Sequence, residues 1–229
     1  MDALNERFGV RHPFPVAPGP PNRPLDHWER ADMLNVELIA LGWADTRVVV
    51  RFYLPRLPQS PNDEASSLIV ERIIHSVKHS KPWLCAFCGA PAREFTGQTF
   101  SPYGVNPPQS VLFLHFACDL NQEHVIEGLR ANHRILQEVR QGSLGPLEMW
   151  LKIPPRPIQA MRPLAGSCGY CERDNSVRET TLRRCGGCHL TRYCGKICHK
   201  MDWPKHKLGC KTIHSVSYIN WESERPRRS

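Results

Sequence analysis

The chain has 229 residues, 23% of them charged and 41% hydrophobic, an ordinary globular balance with room for one or two domains. It contains no run of eighteen apolar residues, so a membrane-spanning helix is not expected. The net charge of +8 is concentrated at one end: residues 168–229 hold 13 Lys+Arg against 6 Asp+Glu, and the rest of the chain is nearly balanced.

Residues 1–25 carry Pro13, Pro15, Pro18, Pro20, Pro21 and Pro24 and read as a flexible, Pro-rich arm, since each proline removes a backbone donor. The opening Met-Asp-Ala-Leu-Asn-Glu-Arg has neither a basic start nor an apolar run. A secretory signal is therefore not expected, and the compartment is read as reducing, cytoplasmic or nuclear. Asp26 with Glu29 three residues on suits a helix start, and Trp28, Ala31, Leu34, Leu38 and Leu41 follow at helical spacing up to Gly42. That spacing predicts a core helix. Residues 47–54 are β-branched and aromatic and predict a strand, stopped by Pro55, Pro58 and Pro61. Residues 64–79 predict a second helix with Val70, Ile73, Ile74 and Val77 along one face. His75 and His79 lie on it four residues apart. No carboxylate or thiol sits at a matching spacing, so they read as solvated or core-edge side chains.

Cys85-Ala-Phe-Cys88-Gly89 follows, a metal knuckle in which the glycine permits the tight turn that points both sulfurs at one ion. A second half comes after the apolar run Val111-Leu-Phe-Leu. The reading is a zinc site of Cys85, Cys88, His115 and Cys118, with His124 as the alternative fourth ligand. The order of knuckle, strand, ligand pair and helix resembles a treble-clef arrangement. The competing reading is three reduced cysteines near a core. Residues 122–140 predict a third helix capped by Asn121, with Ile126, Leu129, Leu136 and Val139 on its buried face and His133 packed on the same stripe. The region 26–142 is therefore expected to be mostly helical. Residues 143–165 read as a Pro-rich linker, with Pro146, Pro154, Pro155, Pro157 and Pro163. Residues 212–229, ending in Arg225-Pro-Arg-Arg, read as a basic tail.

Eight metal-type ligands fill the segment between linker and tail: Cys168-x2-Cys171, Cys185-x2-Cys188, Cys194-x3-Cys198 and His206-x3-Cys210. Seven thiols and one imidazole make two tetrahedral sets of four, which is what Zn²⁺ requires in a closed structural site. His206 and Cys210 would share one face of a helix. A segment this short cannot bury enough apolar surface to fold alone, so the metal must supply much of its stability. Structural zinc contributes on the order of 10–16 kcal/mol in finger peptides.

This pattern resembles a MYND-type zinc finger over about residues 168–210. The match includes Tyr193 before Cys194, the Asp202-Trp203 pair and the lysines on either side of His206, Lys205 and Lys207. The resemblance implies that the sites interleave. One ion would take Cys168, Cys171, Cys194 and Cys198, and the other Cys185, Cys188, His206 and Cys210. The fold expected for the whole chain is a small zinc-stapled α+β protein, with a MYND-like finger at 166–211.

The family's role in protein interaction implies a protein partner, presenting a short proline-containing peptide. Such a peptide loses little ordering entropy on binding, and Trp203 and Tyr193 would pack the finger or flank it. No enzymatic activity is expected. Closed four-ligand sites leave no position for an activated water, and no Gly-rich phosphate loop or nucleophile elbow is present. Some MYND fingers are inserted in SET-domain lysine methyltransferases, but no SET motif is recognised here. The charge argues against the nucleic-acid alternative. Seven thiolates and two Zn²⁺ would lower the C-terminal charge from +7 to nearer +4, which is no dense basic stripe.

Overall fold

Leu34, Val36, Leu38 and Ala40 alternate along the sequence with Asn35, Glu37, Ile39 and Leu41. In the computed structural model this two-residue period decides the local structure. Residues 33–55, 64–100, 109–139, 162–173 and 182–221 are described. The arm at 1–25, most of the linker and the end beyond residue 221 lie outside them.

Strand β1 (Met33–Leu41) turns through a short 3-10 segment into β2 (Arg47–Pro55), and helix α1 (Glu64–Lys78) follows. Next come β3 (Glu94–Phe100), β4 (Gln109–Ala117) and α2 (Glu123–Val139). The C-terminal part adds the short pair β5 (Arg183–Arg184) and β6 (Arg192–Tyr193), helix α3 (Lys196–Cys210) and strand β7 (Ile213–Ile219). Five strands form one mixed sheet in the order β3-β4-β1-β2-β7. The β1–β4 pairing is parallel and the others are antiparallel.

The N-terminal region is thus dominated by strands, which corrects the expectation of a mostly helical one. The helix expected up to Leu41 is strand β1 from Met33 onward. The residues spaced three and four apart are also spaced two apart. Leu34, Val36, Leu38 and Ala40 face one core with Val48, Val50, Phe52, Leu112, Leu114 and Phe116. Ile39 and Leu41 face the other side with Val49, Val111 and Phe113. A central strand buried on both faces reads as a near-continuous apolar run, and burial on both faces outweighs the modest helix propensity of Leu, Glu and Ala. Glu37 is tolerated because its cross-strand neighbour is Arg51, whose guanidinium reaches the carboxylate at 3.3 Å.

The strand expected at 47–54 and the helices expected at 64–79 and 122–140 appear within a residue or two of those bounds. The tail is a second correction, because Ile213–Ile219 pairs with β2 as an edge strand of the sheet. Trp221 beyond it stands edge-on to Trp83 with ring centroids 5.1 Å apart, and its indole N–H donates to the Arg47 carbonyl at 2.9 Å. After the C-terminal segment the chain therefore returns to the sheet. The main core includes Ile73 and Val77 of α1 together with Cys168, Cys185, Cys188, Leu190, Tyr193 and Cys210.

Candidate metal centres

Each Cys-x2-Cys pair sits on a tight turn of one design. The backbone N–H of the residue four beyond the first cysteine donates to that cysteine's carbonyl: Gly89 to Cys85 at 2.9 Å, Glu172 to Cys168 at 3.0 Å and His189 to Cys185 at 3.0 Å. All three turning residues lie in the left-handed region, with φ of 74°, 53° and 57°. The turn leaves both sulfurs on its inner side, aimed at one point.

The first centre gathers Cys168, Cys171, Cys194 and Cys198. Strand β6 delivers Cys194, and the first turn of α3 delivers Cys198. The Cys171 and Cys194 sulfurs are 3.5 Å apart. Burial pulls the Cys168 thiol up, but backbone N–H groups of Cys171, Tyr170 and Cys194 outweigh it and bring the group down to about 7, favouring the thiolate that a metal needs.

The second centre gathers Cys185, Cys188, His206 and Cys210. Helix α3 places His206 and Cys210 one turn apart, on its buried side. The Cys185 and Cys210 sulfurs are 3.8 Å apart, and Cys188 Sγ lies 3.5 Å from His206 Nε2. The other ring nitrogen, Nδ1, faces the Thr191 hydroxyl at 3.4 Å and the Ser76 hydroxyl at 3.5 Å. Those contacts orient the ring so that Nε2 points at the sulfurs, the supporting role partners of a ligand histidine take. Burial holds His206 down to about 4, keeping it neutral. Tyr193 packs the segment from inside, fully buried with its hydroxyl donating to Asp202 at 2.7 Å, whereas Trp203 stays half-exposed.

A third group joins Cys85, Cys88, Cys118 and His124. Cys88 and Cys118 sulfurs are 3.7 Å apart, and Cys118 Sγ lies 3.5 Å from His124 Nε2. This corrects the choice of His115 over His124. His115 and Cys118 are three residues apart on a chain that is extended through Ala117, so their side chains fall on opposite faces. His115 is buried among the residues of β4 and stacks on Phe87, centroids 6.2 Å apart. His124 is carried on the first turn of α2, which closes over the knuckle where Gly128 lets Phe87 approach the helix backbone.

The donor sets fit zinc. Thiolates about 2.3 Å from Zn²⁺ at tetrahedral angles stand about 3.8 Å from one another, and the sulfur pairs at 3.5–3.8 Å match those edges. A disulfide would need about 2.0 Å. All ten cysteines are reduced, and every one belongs to one of the three groups.

The C-terminal segment matches the family model of the MYND finger across residues 168–210. Those residues are a MYND finger. MYND fingers are zinc-binding protein-interaction domains, and the finger's two donor sets, with the Cys85 group, provide for two to three zinc ions. The similarity to curated proteins is confined to this segment. The fission yeast "SET domain and MYND-type zinc finger protein 6" is 36% identical over 52 residues, 23% of this chain and 10% of that protein. The human "N-lysine methyltransferase SMYD2" is 44% identical over 54 residues, 24% of this chain and 11% of its own length. The Xenopus laevis "N-lysine methyltransferase SMYD2-B" is 41% identical over the same span. The match thus spans about a tenth of the length of these relatives. No solved structure matches the chain.

Sequence reasoning missed Ser76 and Thr191 at His206, and Glu172 beside α1. These meetings join segments far apart in the chain, which local spacing cannot report.

Proposed function

We propose that the finger docks a short proline-containing peptide of a regulatory partner, and that the chain acts as a zinc-built interaction module without catalysis of its own. The observation that supports this is an exposed apolar row on α3. Ile197 is 80% exposed, Met201 55% and Leu208 39%, and they share one side of the helix, whereas Trp203 lies toward the other side, its ring centroid 5.7 Å from that of His199 and 6.0 Å from that of His206. The opposite side of α3 is tied down by His206 and Cys210, so the row is presented on a stiff support. Exposed apolar side chains on a preordered surface suit a polyproline-type segment, which arrives already extended. Closed four-donor sets offer no position for activated water. The thiolate donors imply a reducing compartment, cytosol or nucleus.

The test is an array of proline-containing peptides presented to the full-length, zinc-loaded chain. Saturable binding is expected, with Met201→Glu and Ile197→Asp each weakening it about tenfold or more while zinc content is unchanged. If no peptide saturates the chain, the reading fails. Binding of S-adenosylmethionine would reverse the non-catalytic part, and affinity for nucleic acid falling steeply with salt would favour that alternative.

A further inference from the structure

Helix α1 and the first knuckle of the finger meet at a group of side chains outside the three cysteine centres. His75 and His79, one turn apart on α1, hold their rings 4.6 Å apart between centroids. Glu172, directly after Cys171, joins them, and one donor atom from each of the three lies within 4.8 Å of the others. Spacing along the chain offered the histidine pair no third donor; the docking of the finger supplies one.

The state of His79 is informative. Its ring is 0% exposed, and Nδ1 lies 3.0 Å from the Ser167 carbonyl oxygen. A carbonyl only accepts, so Nδ1 carries the proton and donates it there. Nε2 is then the lone-pair nitrogen, and it is buried with no hydrogen-bond partner among the described residues. A ligand histidine has this arrangement: one N–H given to a backbone carbonyl, fixing ring and tautomer, and the other nitrogen left bare for the ion. Burial holds His79 down to about 3 and lowers His75 as well, so both rings are neutral near pH 7.

The surrounding charges are mixed. Asp202 and Glu172 favour positive charge at His75, while Arg72 and Lys78 oppose it, and Lys78 and Arg192 also face His79. Such a balance predicts binding weaker than at the thiolate centres. Two imidazoles and a carboxylate suit zinc-class transition metals rather than Ca²⁺ or Mg²⁺, which take oxygen donors. Three protein donors leave one position to water.

We propose that His75, His79 and Glu172 form an exchangeable site for a divalent transition-metal ion such as Zn²⁺, clasping α1 to the finger. The full-length chain, its cysteine centres loaded with zinc, would be titrated with further Zn²⁺ against a chromophoric chelator. One additional, weaker equivalent is expected. Glu172→Gln and His75→Asn should each lower its affinity about 100-fold or more and leave the tightly bound zinc count unchanged. Co²⁺ in place of the additional Zn²⁺ separates this site from the cysteine centres. At a nitrogen and oxygen site it adds no thiolate-to-metal charge-transfer band, and that readout stands even if a variant folds poorly. No weaker equivalent, wild-type affinity in both variants, or a thiolate band on the added Co²⁺ would each overturn the proposal.

Discussion

Three turning residues in the left-handed region, Gly89, Glu172 and His189, show how much of the metal chemistry was legible residue by residue. The cysteine spacings announced the knuckles, because two sulfurs on one tight turn can be written in four letters. The conformation of the turning residue was visible only where it is glycine. Gly166 shows the opposite case: it stands at the junction of linker and finger, where the sequence carries no signal of its role. In the structure it has φ of +94°, donates its N–H to the Lys78 carbonyl at 2.8 Å and accepts from Arg192 at 2.8 Å. A Cβ there would run into the Lys81 carbonyl oxygen and the Pro82 backbone, which cannot move aside as a side chain could. Gly166→Ala should therefore cost about 2 kcal/mol or more, from the left-handed backbone and the collision together, outweighing the usual entropic gain of replacing glycine. Urea unfolding of the zinc-loaded variant measures this, and a midpoint equal to wild type would refute the assigned role.

Elements were legible where one period dominated. Strand β2 and helices α1 and α2 each show a single clear pattern, and each forms as read. In β1 the helical and strand periods overlap on the same leucines, and what separates them is burial between β2 and β4, a fact about the sheet. Strand β7 carried a weaker signal: Ile213, Val216, Tyr218 and Ile219 are interspersed with His and Ser and sit next to a basic end, so they read as tail. Its contribution should be substantial. Tyr218 donates from its hydroxyl to the His189 carbonyl at 2.8 Å, and Trp221 packs on Trp83. Because Trp221 is only partly buried, Trp221→Ala should lose about 1–3 kcal/mol, the scale of one large apolar side chain. A true tail residue would change stability by less than about 0.5 kcal/mol, so chemical denaturation of this single variant distinguishes the two.

At the scale of the whole molecule, the sequence suggested two regions joined by a linker, and the fold joins them in one core. Cys185, Cys188 and Cys210 pack in the same apolar cluster as Leu38, Val50 and Phe52 of the sheet. Helices α1 and α3 approach closely where Gly209 faces Ile73; a Cβ on Gly209 would sit 3.1 Å from its Cγ1. Ser76 of α1 reaches His206, and β7 carries the chain from the finger back to the sheet edge. Magnitudes then decide what loss of one zinc does. A structural zinc is worth on the order of 10–16 kcal/mol, whereas a domain's total stability is about 5–15 kcal/mol. If finger and sheet fold as one unit, losing the second centre should exceed what holds the sheet together as well. His206→Ala is therefore expected to remove amide-exchange protection from β2, β7 and α1 along with α3, in a single step. Retained protection across β2 and α1 with a silent finger would mean that the sheet stands alone, with the shared core and the Ser76 contact contributing little to its stability.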